Sequence, residues 1–114
     1  MFNITDESGY TKIEVEGKLT HKDYVETLIP KFEELAGKGK LKVLVIMSNF
    51  EGIEVKAMLD DLKTAVKHRK DFEKVAVVTE ADWIKVGLNV FKGIVSADVK
   101  TFHDEKSASI WMNI

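Results

Sequence analysis

The sequence predicts a single α/β domain: a mostly parallel five-stranded sheet with an N-terminal antiparallel hairpin and four helices, in the order ββαβαβαβα. Three observations carry this. Short strand-like runs alternate with segments of roughly 10 to 15 residues whose apolar positions recur at helical spacing, the pattern of right-handed βαβ crossovers. The first two runs are joined by a short polar stretch with a glycine, too short for a crossover and suited to a hairpin turn. The chain has 114 residues, 45% of them hydrophobic, which supports one core and leaves no material for a linker or a second domain.

Residues 2–5 form the first strand and Asp6-Glu7-Ser8-Gly9 the turn. From Tyr10 to Gly17 the pattern partly alternates, with Ile13 and Val15 inward and Glu14 and Glu16 toward solvent. Thr20 followed by Asp23 marks the start of a helix, because each side chain can satisfy a free backbone N–H of the other. Tyr24, Val25, Leu28, Ile29, Phe32, Leu35 and Ala36 then share a face, and Gly37 and Gly39 stop the helix. Pro30 falls on the solvent side, where loss of its bond to the Glu26 carbonyl should kink or divide the helix.

Residues 41–47 are β-branched-rich without alternation, as in a central strand covered on both faces. Residues 48–53 read as a loop. A second helix over 54–68 carries Val55, Met58, Leu59, Leu62, Ala65 and Val66 on one ordinary stripe, with Lys56, Asp60, Lys63 and Lys67 on the other side. Residues 74–79 are another buried strand, 81–95 a third helix and 97–102 the last strand. Asp104 caps a final helix bearing Ala108, Trp111 and Met112.

Composition removes several function classes. Without cysteine there is no disulfide framework, thiol nucleophile or thiolate metal site, as suits a reducing cytoplasm. The 17 basic and 19 acidic residues are interspersed, so the field that drives binding to phosphate backbones is weak and no nucleic-acid partner is expected. No apolar run approaches the length of about 20 residues that spans a bilayer, and Asp6 and Glu7 stand where a secretory signal would be basic. The expected location is cytoplasmic.

Chemistry-bearing groups are sparse. His21, His68 and His103 lack the acidic or histidine spacing of a one-helix metal site, so no metal is expected. Asp60 and Asp61 are adjacent on a helix, point about 100° apart, and read as a solvated face instead of a catalytic pair. There is no glycine-rich phosphate cradle, nucleophile elbow or nucleophile–base pair, so neither cofactor nor turnover is expected. Ser48 is one candidate for modification, since it follows a buried strand and precedes a helix N-terminus that would favour an added phosphate. The simpler reading is that Ser48 and Asn49 form the polar turn that a βα junction requires.

The third helix departs from the ordinary. Trp83, Ile84, Val86, Leu88, Val90, Phe91, Ile94 and Val95, with Gly87, cover an arc of roughly 200°, against about 100° for a helix that only packs on a sheet. Its polar face is Lys85, Asn89, Lys92 and Ser96. A neighbouring helix, a homodimer partner, an apolar ligand or a membrane surface must cover the excess.

In these residues the chain resembles the STAS family, the anti-sigma-factor-antagonist-like fold. It is most similar to the stand-alone bacterial branch that links STAS domains to the CRAL-TRIO lipid-binding domains. The carriers are Gly17-Lys18-Leu19-Thr20 with Asp23-Tyr24 and Pro30, then Phe50-Glu51-Gly52, then Asp61 and His68. Ala76-Val77-Val78 followed by Trp83, and Ala108 with Trp111, complete the set. The resemblance implies binding or regulation in place of catalysis. In sigma-factor antagonists a phosphorylated serine lies where the third strand meets the next helix. Here that stretch reads Met47-Ser48-Asn49-Phe50-Glu51-Gly52, without the preceding acid and with Phe50 entering. The branch it resembles implies apolar molecules held between helices and association with membranes.

The leading expectation is therefore a non-enzymatic module for an apolar or lipid-like ligand, lined by Phe50, Ile53, Met58, Leu62, Trp83, Val86, Val90, Phe91 and Ile94. Lys85 and Lys92 would meet the inner face of a membrane. The alternative is a signalling adaptor that binds a protein partner through Ser48 and the second helix.

Overall fold

In the computed structural model, which describes residues 1–114, β1 (Phe2–Glu7) and β2 (Tyr10–Leu19) pair antiparallel about a turn at Ser8-Gly9. Gly9 holds φ +86°, a value that favours glycine. The next strands, β3 (Leu41–Ile53), β4 (Phe72–Val78) and β5 (Asp98–Phe102), join in parallel, giving the sheet order β1-β2-β3-β4-β5. Each crossover steps one strand in the same direction, so the right-handed rule places all three intervening helical segments on one face. They share one apolar cluster, which includes Ile13, Val15, Phe32, Val43, Phe72 and Ile84. The last helix, α5 (Glu105–Met112), covers the opposite face, where Ala108 and Met112 meet Leu44, Ala76 and Val78. Residues 41–47 are thus covered on both sides, as their lack of alternation requires.

The first helical segment is continuous but changes pitch: α1 (His21–Asp23), a π-helical turn (Tyr24–Leu28) and α2 (Ile29–Ala36). Pro30 accounts for the change. Its missing N–H is placed after a widened turn in which the Ile29 amide reaches back to the Tyr24 carbonyl, so the helix neither breaks nor divides. The wide turn also rotates Val25 to the exposed side, against the sequence expectation, while Tyr24, Leu28 and Phe32 stay buried. Thr20 and Asp23 form the expected capping box: Thr20 Oγ1 accepts from the Asp23 amide at 3.1 Å and Asp23 Oδ2 from the Thr20 amide at 2.9 Å. Partial burial pushes the Asp23 carboxyl up, but those Thr20 bonds and the nearby N-terminal ammonium outweigh it and hold the pKa below its ordinary value. Thr20→Ala is expected to cost about 1 kcal/mol in urea unfolding; an unchanged midpoint would show that other contacts start the helix.

The expected loop over residues 48–53 is strand. β3 continues to Ile53, paired with β2 from Asn49↔Glu16 to Ile53↔Leu19. Between Ile46 and Asn49, and again between Phe50 and Gly52, β3 spends one residue more than β2. These are bulges, and the first changes which parity of residue faces in. Val43 and Val45 face the three-segment side before it, and Phe50 and Ile53 face that side after it. A bulge erases the period-2 signal, which is why the segment looked irregular in sequence.

The larger correction concerns α3 (Val55–Lys67). Its buried residues are Ala57, Asp60, Thr64 and Ala65, followed by His68 just past its end. Of the apolar stripe, Val55, Met58, Leu59, Leu62 and Val66 are exposed and only Ala65 is buried. The helix packs its small and polar side inward and turns its large apolar side out.

Candidate functional site

Two polar ties from the first helical segment hold α3 in this orientation. His21 Nδ1, at the start of α1, pairs with Asp60 Oδ2. The Tyr24 hydroxyl donates to Asp61 Oδ1 at 3.0 Å. Within α3 itself, Thr64 Oγ1 donates to the Asp60 carbonyl at 2.7 Å, which satisfies that hydroxyl against the core. Asp60 is therefore a buried partner, against the solvated face expected from sequence, whereas Asp61 is exposed with its Oδ1 held by Tyr24. Burial pushes the Tyr24 hydroxyl far above its ordinary pKa, with the charges of Asp61, Asp60 and Asp23 adding to it, so it stays a donor.

The other histidines divide. His68 is buried, edge-on to Phe32 with ring centres 6.4 Å apart, and its Nδ1 lies 2.8 Å from Asp71 Oδ2. His103 is exposed beside Glu80 at 3.7 Å. No three metal-ligating groups converge anywhere in the chain. The sequence did not expose the His21–Asp60 and Tyr24–Asp61 pairs, whose members are 39 and 37 residues apart. Asp71 stands only three residues after His68, a local spacing that could have disclosed that pair.

α4 (Asp82–Ile94) begins as expected and packs beside α3. It buries Ile84 and half-buries Leu88, Phe91 and Ile94, while Trp83, Val86 and Val90 are 57%, 65% and 59% exposed. The nine expected ligand-lining residues thus fall into two sets. Phe50, Ile53, Phe91 and Ile94 are half-buried and pack on the core. Phe91 meets Phe72 at 6.0 Å between ring centres, and Phe50 meets Trp83 at 5.4 Å. Met58, Leu62, Trp83, Val86 and Val90 lie on outer faces of α3 and α4, open to solvent. Lys85 is half-exposed and 4.0 Å from Asp82, and Lys92 is exposed.

Together with Val55, Leu59 and Val66, the outer residues of α3 and α4 make eight large apolar side chains exposed on two adjacent helices. Large apolar side chains in this number are unusual on the surface of a small monomeric domain. Two surface recesses, of about 360 and 270 Å³, lie elsewhere and share no residue with the expected lining. Ser48 and Asn49 are exposed within β3, separated from the start of α3 by further strand, so Ser48 does not stand at that helix terminus.

This fold can be compared with known proteins. The profile of the SpoIIAA-like family matches residues 10–113. The chain belongs to the SpoIIAA-like family. An uncharacterised protein with a SpoIIAA-like fold from Shewanella loihica PV-4 superposes with a TM-score of 0.81 at 27% identity, covering 98% of this chain and 92% of that one. The unphosphorylated anti-sigma factor antagonist SpoIIAA gives a TM-score of 0.67 at 12% identity, over 99% of this chain and 98% of that one. The second likeness shows shared fold alone. No curated protein matches the sequence. The family assignment agrees with the STAS-like architecture expected from the sequence, including the edge hairpin and the helix placement. No helix is long and apolar enough to cross a membrane.

Proposed function

We propose that this SpoIIAA-like domain is a non-catalytic binding module whose outer α3–α4 face takes a lipid-like apolar partner at the inner face of a membrane. The observation that carries the reading is the set of eight large apolar side chains left in water by those two helices. At ~1.5 kcal/mol or more per side chain fully withdrawn from water, covering even part of that face is worth several kcal/mol. Trp83 and Met58 give the face an amphipathic ring and an adaptable thioether, both suited to an acyl boundary. Lys56, Lys63 and Lys92 stand exposed on the same helices and complement anionic headgroups. The open form of the face favours a surface contact over an enclosed pocket.

Flotation with phosphatidylglycerol vesicles and with phosphatidylcholine vesicles tests the reading. Co-migration with the anionic vesicles, falling as salt rises, is expected. Native mass spectrometry of protein from its own host adds a direct search for a bound apolar molecule. Absence of both vesicle association and any adduct would sink the proposal. If instead the chain is a dimer that Val86→Asp dissociates, the face serves self-association.

The adaptor alternative retains one specific support. Ser48 and Asn49 are exposed on β3, where a protein partner can reach them.

A further inference from the structure

β3 has 13 residues and β4 seven, and the difference leaves part of β3 half-paired. Its register with β4 ends at Ile46↔Val78, whereas its register with β2 runs on to Ile53↔Leu19. Over residues 48–53 the strand therefore has a neighbour on one side only. In an extended strand, alternate residues aim their N–H and C=O groups to opposite sides, so part of this set points away from β2 into open space. The next donor on the β4 side, the Thr79 amide, is bonded to the Phe102 carbonyl at 3.1 Å, away from β3. Residues 48–53 contain neither the lysine nor the proline that commonly guards an edge.

We propose that this free edge of β3 receives a basic extended peptide segment as an added strand. The inference shares Trp83 with the lipid reading but rests on a sheet edge and main-chain groups, which that reading does not use. The two bulges and Gly52, at φ +150°, bend the edge and restrict it to a short strand of a few residues. Half-buried Phe50 stacked on exposed Trp83 gives one apolar wall beside it, a place for an alternate side chain of the incoming segment.

Charge decides the class of partner. Glu51 is exposed, but its carboxylate leans over Gly17 of β2, away from the open edge, so the charge facing an incoming segment comes from the connection after β4. Glu80 and Asp82, in the connection from β4 to Trp83, have side chains 80% and 100% exposed. Their cationic neighbours are His103, 3.7 Å from Glu80, and Lys85, 4.0 Å from Asp82; Lys18 lies across from Gly52 on the β2 side. Glu54 is already engaged by the His21 amide at 2.9 Å. A second copy would bring residues 48–53, which contain no lysine or arginine to meet Glu80 and Asp82. A segment that alternates lysine or arginine with an apolar residue meets both the carboxylates and the Phe50–Trp83 wall.

The test uses the full ¹⁵N-labelled chain and a synthetic blocked hexapeptide of alternating lysine and valine. On saturation, amide exchange over residues 48–53 should slow by about tenfold or more, with shifts centred on those residues. The same peptide N-methylated at alternate residues on its pairing edge should lose binding, because charge is kept while the ladder is blocked. A glutamate–valine peptide should not bind. Glu80→Lys combined with Asp82→Lys, both at exposed positions, should weaken the lysine peptide about tenfold. Equal binding of peptides methylated on either edge, shifts confined to Val86 and Val90, or no binding at millimolar peptide would each overturn the proposal.

Discussion

Phe72→Ala is expected to lower unfolding stability by about 3 to 5 kcal/mol, a fall in thermal midpoint of roughly 10 to 20 °C for a domain of this size. Phe72 opens β4 and is buried, with ring centres 5.7 Å from Phe32 of α2 and 6.0 Å from Phe91 of α4. It is the aromatic link between the first helical segment and α4, and both meet it edge-on. Removing the ring leaves a cavity that two differently anchored helices must close together, and packed helices collapse only partly. Phe102→Ala gives the contrast. Phe102 is half-buried and packs on Trp111 at 5.7 Å, near the edge of the α5 side. Its loss should be markedly smaller by the same urea titration. A cost at Phe72 below about 1.5 kcal/mol would show that the cluster repacks and that the α2–β4–α4 junction is not the rigid centre of the fold.

How far the sequence discloses this molecule follows from the range of each interaction. Residues 41–47 announce a doubly covered strand because both parities are apolar, and the structure buries Val43 and Leu44 on opposite faces. The Thr20–Asp23 cap and the Asp104 cap, whose Oδ1 accepts the Ser107 amide at 2.8 Å, are equally local and equally readable. The α4 excess is arithmetic on a helical wheel: a sheet can cover only part of a 200° arc, and Trp83, Val86 and Val90 are the remainder. The α3 orientation is of another kind. Periodicity locates its apolar stripe without saying which way the stripe points, and the groups that decide it, His21 and Tyr24, arrive from more than 35 residues away. The β3 bulges resist reading for a similar reason, since an extra residue is defined only against the β2 partner.

The partial burial of α4 separates two kinds of substitution that a sequence would treat alike, and the largest functional effect is expected from that contrast. Val86→Asp with Val90→Asp should leave circular dichroism and the unfolding midpoint close to wild type, because both sites are exposed and valine and aspartate have similar helix propensity. The same double variant should weaken association with phosphatidylglycerol vesicles by about 100-fold or more, through loss of two buried side chains and gain of two charges facing anionic lipid. Phe91→Asp, an apparently equivalent change on the same helix, should act through the fold instead. Its carboxylate would replace a ring packed on Phe72 and lie among apolar neighbours with no partner, which costs several kcal/mol. Vesicle loss in Phe91→Asp would then track unfolding, whereas in the Val86/Val90 variant it would occur in a native domain. Lys56→Glu with Lys63→Glu supplies the electrostatic half of the comparison: each lysine near the surface contributes about 1 kcal/mol, so the anionic preference should fall while binding to neutral vesicles is unchanged. If the Val86/Val90 variant floats as wild type does, the outer face of α4 is not the lipid contact. The eight exposed side chains of α3 and α4 would then need a protein to cover them.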